Sequence, residues 1–235
     1  MRVRVKYKKG DTVRFLSHLD VARNMRMALK RAKWPVAITR GYSPKMRVSF
    51  YSPLPVGTSG EEEYLDVTLD KNGITDFIQA KAKGAGHLLS NSDILAQLAG
   101  ALSNALPKGF AVCELVVVHN GQKPFESQIQ GSLYRTEIEE VTADTLSSSI
   151  EAFLAEEQVL FEVQRPKESR TMDLRDFVES ISLIPGSSPA TLFMTIRHDN
   201  GRTVRPQWVI DSLSRFGMDI NTGEVIVDRL KLYFG

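Results

Sequence analysis

The chain holds a single cysteine, Cys113, in 235 residues. That count excludes an internal disulfide, a cysteine-only zinc site and a self-contained cysteine-ligated iron–sulfur cluster. A reducing, cytoplasmic setting follows as the expectation. Histidine is scarce too. His18, His87, His119 and His198 show no paired ligand spacing, so nothing in the pattern supports a metal site. No apolar run reaches the about 18 residues a spanning helix needs, and the opening Met1-Arg2-Val3-Arg4-Val5-Lys6 interrupts the apolar core of a signal peptide. No membrane association or export is expected. The glycine-rich phosphate loops of nucleotide-binding proteins are missing as well, because Lys83-Gly84-Ala85-Gly86-His87 lacks the Lys-Ser/Thr ending.

What is present is ordinary globular composition, 42% hydrophobic and 25% charged, with length for one large or two small domains. Charge is distributed unevenly. The net charge is +2, yet residues 1–50 carry fourteen basic residues against only Asp11 and Asp20, a net +12, and the remaining 185 residues carry −10. A segment of that kind reads as an electropositive surface for a polyanion, and nucleic acid is the first candidate. The bland alternative is a solvated basic face.

Residues 2–9 alternate Val3, Val5 and Tyr7 with Arg2, Arg4, Lys6 and Lys8, the period-two pattern of a strand with one buried face. Ser17 followed by Asp20 predicts a helix start, with the helix running to about Lys33 before Trp34-Pro35. Its core side gathers His18, Val21, Ala22, Met25, Ala28, Leu29 and Ala32, and its outer side Arg23, Arg26, Lys30 and Lys33. Short strands are predicted at 36–40 and 47–51 around a turn at 41–45, then a strand near 63–69. Residues 70–92, rich in Gly, Lys, Asn and Ser, read as an insertion with a small helix at 74–83. A helix capped by Asp93 and a continuous apolar strand at 111–118 follow, with Cys113 expected as a small buried hydrophobe. After a linker at 119–131 the order repeats: strands at 134–140, 159–164, 177–184, 191–197 and 225–233, with helices at 143–155 and 207–216, Pro206 opening the second. The expectation is an α+β chain of two ferredoxin-like (split βαβ) halves in tandem, 1–118 and 132–235.

Three blocks resemble the radical-SAM-linked protein family, a bacterial domain fused to or encoded beside radical SAM proteins. They are Arg14-Phe15-Leu16-Ser17-His18-Leu19-Asp20, Arg40-Gly41-Tyr42-Ser43-Pro44-Lys45, and Ser52-Pro53-Leu54-Pro55-Val56-Gly57 with Glu63, Tyr64 and Asp66 behind it. The second half is similar through Arg165, Lys167 and Arg170, Met172-Asp173-Leu174-Arg175, Gly201-Arg202, Arg205-Pro206 and Asp228-Arg229-Leu230-Lys231-Leu232-Tyr233. The family turn reads more like Gly-Phe-Asn-Pro-His-Pro, so this chain lacks a histidine there. The resemblance implies a radical SAM partner that carries the S-adenosylmethionine and the iron–sulfur cluster, with no cofactor on this chain.

For chemistry, Ser17, His18 and Asp20 are too close in sequence for a triad and are more simply a helix cap, although a helix N-terminus can also hold a phosphate. The candidate RNA-binding set is Arg14, Ser17, His18, Arg23, Arg26, Lys30, Arg40, Tyr42, Lys45 and Arg47, joined by Arg165, Lys167, Arg170, Arg202 and Arg205 lining a groove between the halves. Arg2, Arg4, Lys6 and Lys8 on the strand face, Arg23, Arg26, Lys30 and Lys33 on the helix face and the turn Arg40–Arg47 are expected to track a phosphate backbone together, and Tyr42 and Tyr51 among them are candidates for stacking on unpaired bases of tRNA or rRNA. About five neutralised phosphates would give a log–log salt slope of about −3.5. Two other readings stand beside this one. The first is a metal-independent ribonuclease with His18 as general base, weakened by the lack of a Gly-rich loop near the C-terminus. The second is a protein–protein adaptor whose basic face docks an acidic partner.

Overall fold

The computed structural model describes residues 1–85, 90–119, 124–139, 141–164, 169–218 and 225–235. The chain divides into two compact units, Met1–Phe125 and Glu126–Gly235. The division falls inside the stretch expected as a linker, although 129–131 already belong to a strand.

In the first unit, β1 (Arg2–Lys9) places Val3, Val5 and Tyr7 in the core, as its alternation predicts. Helix α1 (His18–Arg31) begins where Ser17 Oγ accepts the Asp20 N–H, and it buries Val21, Ala22, Met25, Ala28 and Leu29. β2 (Val48–Phe50) and β3 (Thr58–Thr68) follow, then α2 (Lys71–Ala85), α3 (Asn91–Ala105) and β4 (Phe110–Val118). The four strands pair antiparallel in the order β4-β1-β3-β2. Helices α1 and α3 supply Met25, Leu29, Ile94, Leu98 and Leu102 to one core, with Val5, Leu65 and Val67 from the strands.

Four local expectations need correction here. The segment 36–40 forms only isolated bridges, Val36 with Leu69 and Ile38 with Met46. The region 70–92 is mostly helical, because α2 and the start of α3 occupy it; residues 86–89 lie outside the described residues. Ser90 is the cap of α3, while Asp93 closes the capping box from the third helical position. Cys113 is exposed, since β4 pairs only with β1 among the described residues and so forms a half-exposed edge.

In the second unit, β5 (Ile129–Ile138), α4 (Ala143–Ala155), β8 (Val178–Leu183), β9 (Ala190–Arg197), α5 (Pro206–Leu213) and β10 (Ile226–Phe234) build an antiparallel sheet in the order β10-β5-β9-β8. Leu146, Phe153, Leu192, Met194, Ile210 and Leu213 are fully buried in its core. β6 (Leu160–Val163) pairs instead with β7 (Arg170–Asp173), a strand not expected from the sequence, in a separate hairpin. Leaving aside α2 in one unit and this hairpin in the other, each unit runs strand, helix, strand, strand, helix, strand, with the last strand beside the first and the third between the first and second.

Candidate nucleic-acid interface

The basic face of β1 does not stand free. Arg4 forms two hydrogen bonds to Asp66, at 2.8 and 3.1 Å, and Arg2 lies 3.6 Å from the same carboxylate. Lys6 pairs with Glu62 and Lys8 with Glu61, both at 2.6 Å, and these contacts raise both ammonium pKa values. The β1–β3 register sets Arg4 opposite Asp66, so β3 answers the positive face with a negative one. The expectation that these cations track a phosphate backbone as one free basic face is corrected accordingly: Arg4, Lys6 and Lys8 are engaged by β3, and Arg2, although 3.6 Å from Asp66, also lines a groove beside α1.

Arg14 is likewise withdrawn from the surface. It is only 6% exposed, donates from Nε to the Gly57 carbonyl and lies 3.6 Å from Asp11. Lys9 is buried beside it and donates to the carbonyls of Arg14, Leu16 and Thr58 at 2.8, 3.3 and 3.0 Å. The Gly57 N–H returns a bond to the Arg14 carbonyl. Two cations thus tie the block at 14–20 to the block at 52–57. Gly57, at φ +87°, takes a conformation that side chains disfavour.

Ser17 is spent on the cap: its hydroxyl accepts from Asp20 and donates to the Asp20 carboxylate at 2.6 Å. His18 sets its ring edge-on to Phe50, with centroids 5.6 Å apart, and burial, aided by Arg26, lowers its pKa. Neither residue has the geometry of a catalytic pair. Tyr51, considered for base stacking, is packed against Phe125 and donates its hydroxyl to Asp66; burial first, then that carboxylate, push its pKa up to about 12.

The cations that remain exposed lie on α1 and on the segment after it. Arg23, Arg26 and Lys30 point outward from the helix, and Arg40, Lys45 and Arg47 are exposed around the 39–47 turn. That turn is closed by a reciprocal pair: the Thr39 N–H donates to the Lys45 carbonyl, and the Lys45 N–H to the Thr39 hydroxyl. Gly41 (φ +130°) allows the bend, and Tyr42 at the tip is wholly exposed.

Between α1 and this segment runs a groove of about 740 Å³, lined by Arg2, Arg26, Lys45 and Arg47 with the hydroxyls of Thr39, Ser49 and Thr68. Among the described residues Asp66 is the one carboxylate in its lining, and it is 3% exposed and engaged by Arg4, Arg2 and Tyr51. The described lining therefore carries four positive charges against one negative. Arg26 is held in place over the Phe50 ring at 5.4 Å. The three hydroxyls and Asp66 were not among the expected site residues, and Arg2 was expected only as part of the basic face of β1. Their signal is present only once β2 and β3 are set side by side.

The candidates of the second unit do not gather in the same way. Arg165 and Lys167 lie outside the described residues. Arg170 and Arg202 line a groove of about 480 Å³ with Arg197 and His198, but Asp173, Asp176 and Asp199 line it too, and Arg202 is paired with Asp199. Arg205 sits over the Trp208 ring at 5.4 Å, away from that lining. His198 shares a 2.8 Å hydrogen bond with the buried Ser132, and burial lowers its pKa to about 4, with Arg229 adding to the effect. Among the described residues no group of three or more metal-ligating side chains converges, and no helix is long and apolar enough to cross a membrane.

Comparison with curated proteins found no match. A chain of a Cbf5-Nop10-Gar1 complex is similar in structure over 98% of this chain and 48% of its own length, at 10% identity and a TM-score of 0.48, so this chain spans about half the length of that neighbour. An unknown protein from Galdieria sulphuraria aligns over 100% of this chain and 98% of its own, at 14% identity and a TM-score of 0.23. Residues 2–86 and 87–206 match an uncharacterized protein family conserved in bacteria (DUF2344), and with most of its length inside those matches the chain belongs to that family.

Proposed function

We propose that this chain is an RNA-binding accessory protein, acting in the cytoplasm with a radical SAM partner in RNA modification or a translation-related process. The observation that carries the RNA reading is the groove beside α1, where four cations face one carboxylate that is already engaged. An electropositive cleft with hydroxyl donors suits phosphate oxygens. Tyr42, beside Arg40 and Lys45, offers a ring face to an unpaired base of a tRNA or rRNA loop. The partner reading rests on the sequence blocks at 14–20, 40–45 and 52–57 and on the single cysteine. The S-adenosylmethionine and the cluster belong to the partner in this reading. The tandem ferredoxin-like reading of the two units is supported by their shared strand order, β4-β1-β3-β2 and β10-β5-β9-β8.

The test is filter binding of purified protein to a bulk tRNA pool at 50 mM salt, beside the charge-reversed Arg26→Glu/Arg47→Glu protein. Binding that the reversal abolishes supports the reading. Absence of binding by the unaltered chain overturns it. Affinity capture from nuclease-treated bacterial extract tests the second half of the proposal: recovery of a radical SAM protein supports it, and recovery of none contradicts it.

A further inference from the structure

The block at 14–20 carries an exposed aromatic ring outside the groove lining. Phe15 is 75% exposed, and Leu19 (78%) and Val56 (62%) are exposed in the blocks tied together beside it. An aromatic ring left in water on a mobile loop would be unremarkable. This one is on a fixed support: Lys9 holds the carbonyls of Arg14 and Leu16 on either side of Phe15, and Arg14 holds Gly57. Gly57 lies under the ring edge, since a Cβ there would sit 3.9 Å from Phe15 Cε1. The ring is therefore presented to solvent at little conformational cost.

Its surroundings decide between two kinds of partner. Three exposed apolar side chains are far short of the about 800 Å² per partner that a stable protein interface buries. Along α1, by contrast, the outward face continues from Leu19 through Arg23 and Arg26 to Lys30, and Arg26 leads into the groove over Phe50. Leu19 and Arg26 are about 10 Å apart along the helix, the length of about three stacked nucleotides. The cationic track thus has an exposed aromatic at each end, Phe15 at the start of α1 and Tyr42 at the tip of the turn.

We infer that Phe15 is a second base-stacking residue, and that the site takes an unpaired RNA strand laid along α1 with its bases on Phe15 and Tyr42. This rests on the RNA reading above and deepens it to a substrate class. In a duplex the base faces are covered by their neighbours, so neither ring can stack and only the phosphate contacts remain.

The experiment measures fluorescence anisotropy with one labelled 12-nucleotide RNA of mixed sequence, alone and annealed to its complement, at 50 mM salt. The single strand binds more tightly. Phe15→Ala and Tyr42→Ala each weaken single-strand binding about tenfold, leave duplex binding and the salt slope unchanged, and Phe15→Trp restores affinity. The full chain is used throughout, and circular dichroism confirms that each variant is folded. Equal affinity for strand and duplex, or a folded Phe15→Ala protein that binds the strand as tightly as the unaltered chain, overturns this inference while leaving the groove reading standing. Failure to bind either RNA overturns both.

Discussion

Asp66 is the point where stability and binding pull in opposite directions. Its carboxylate is buried, accepts two bonds from Arg4 and one from Tyr51, and lies 3.6 Å from Arg2. Asp66→Asn keeps the shape and removes the charge, leaving Arg4 opposite an amide that can satisfy only one of its two N–H groups. Removing one partner of a buried ion pair costs about 3–5 kcal/mol. Arg2 and Arg4 retain some solvent contact, which brings the expected loss to about 2–3 kcal/mol. The same carboxylate is the one negative charge in the groove lining among the described residues. Its loss frees one further cation for phosphate, and at about 0.7 log units per contact per decade of salt, single-strand affinity at 0.1 M salt rises about fivefold. Stability is read by urea denaturation in a Trp208→Phe background, where the buried Trp34 of the first unit reports alone; affinity is read by anisotropy. A variant as stable as the parent, or a folded variant that binds RNA more weakly, refutes the reasoning.

Other outcomes follow from single features. Gly57→Ala forces a side chain into φ +87° and destabilises the first unit by about 1–2 kcal/mol, measured by thermal unfolding, and a change below a few tenths would contradict the turn described. His198 is held neutral by burial and Arg229, its pKa lowered from about 6.5 to about 4. The unfolded chain then binds the extra proton between those values, so stability is full above about pH 6.5 and falls as the pH drops toward 4. His198→Gln flattens that acid limb in a pH series of urea midpoints, and an unaltered limb removes His198 as its source.

Local pattern carried the reading a long way where one element suffices. The alternation of β1, the Ser17 cap of α1 and the Pro206 start of α5 depend on neighbours within a few residues, and all three lie where they were expected. What was not legible depends on partners far along the chain. The four cations of β1 look like a binding face until β3, some sixty residues away, brings Glu61, Glu62 and Asp66 alongside them. Arg14 looks exposed until the carbonyl of Gly57 claims it. The apolar run of β4 is compatible with a strand buried on both faces or with an edge, and the sheet order, which leaves Cys113 exposed, decides between them. The groove itself exists only because β2 lies beside β3 and carries the 39–47 turn toward α1, a juxtaposition without a local signature.

The central claim is that the exposed cations of α1 and of the 39–47 segment, and not the cations of β1 engaged by β3, meet the RNA. The direct measurement is the salt dependence of single-strand affinity for the unaltered chain, for Arg26→Gln/Arg47→Gln and for Lys6→Gln/Lys8→Gln. Arg23 and Lys30 along α1 with Arg26, Lys45 and Arg47 of the groove, five exposed cations, predict a log–log slope of about −3.5, falling to about −2.1 in the first double variant with about 25-fold weaker binding at 0.1 M salt. The second double variant keeps the slope of the unaltered chain. A slope that survives loss of Arg26 and Arg47, or that drops when Lys6 and Lys8 are neutralised, contradicts the account.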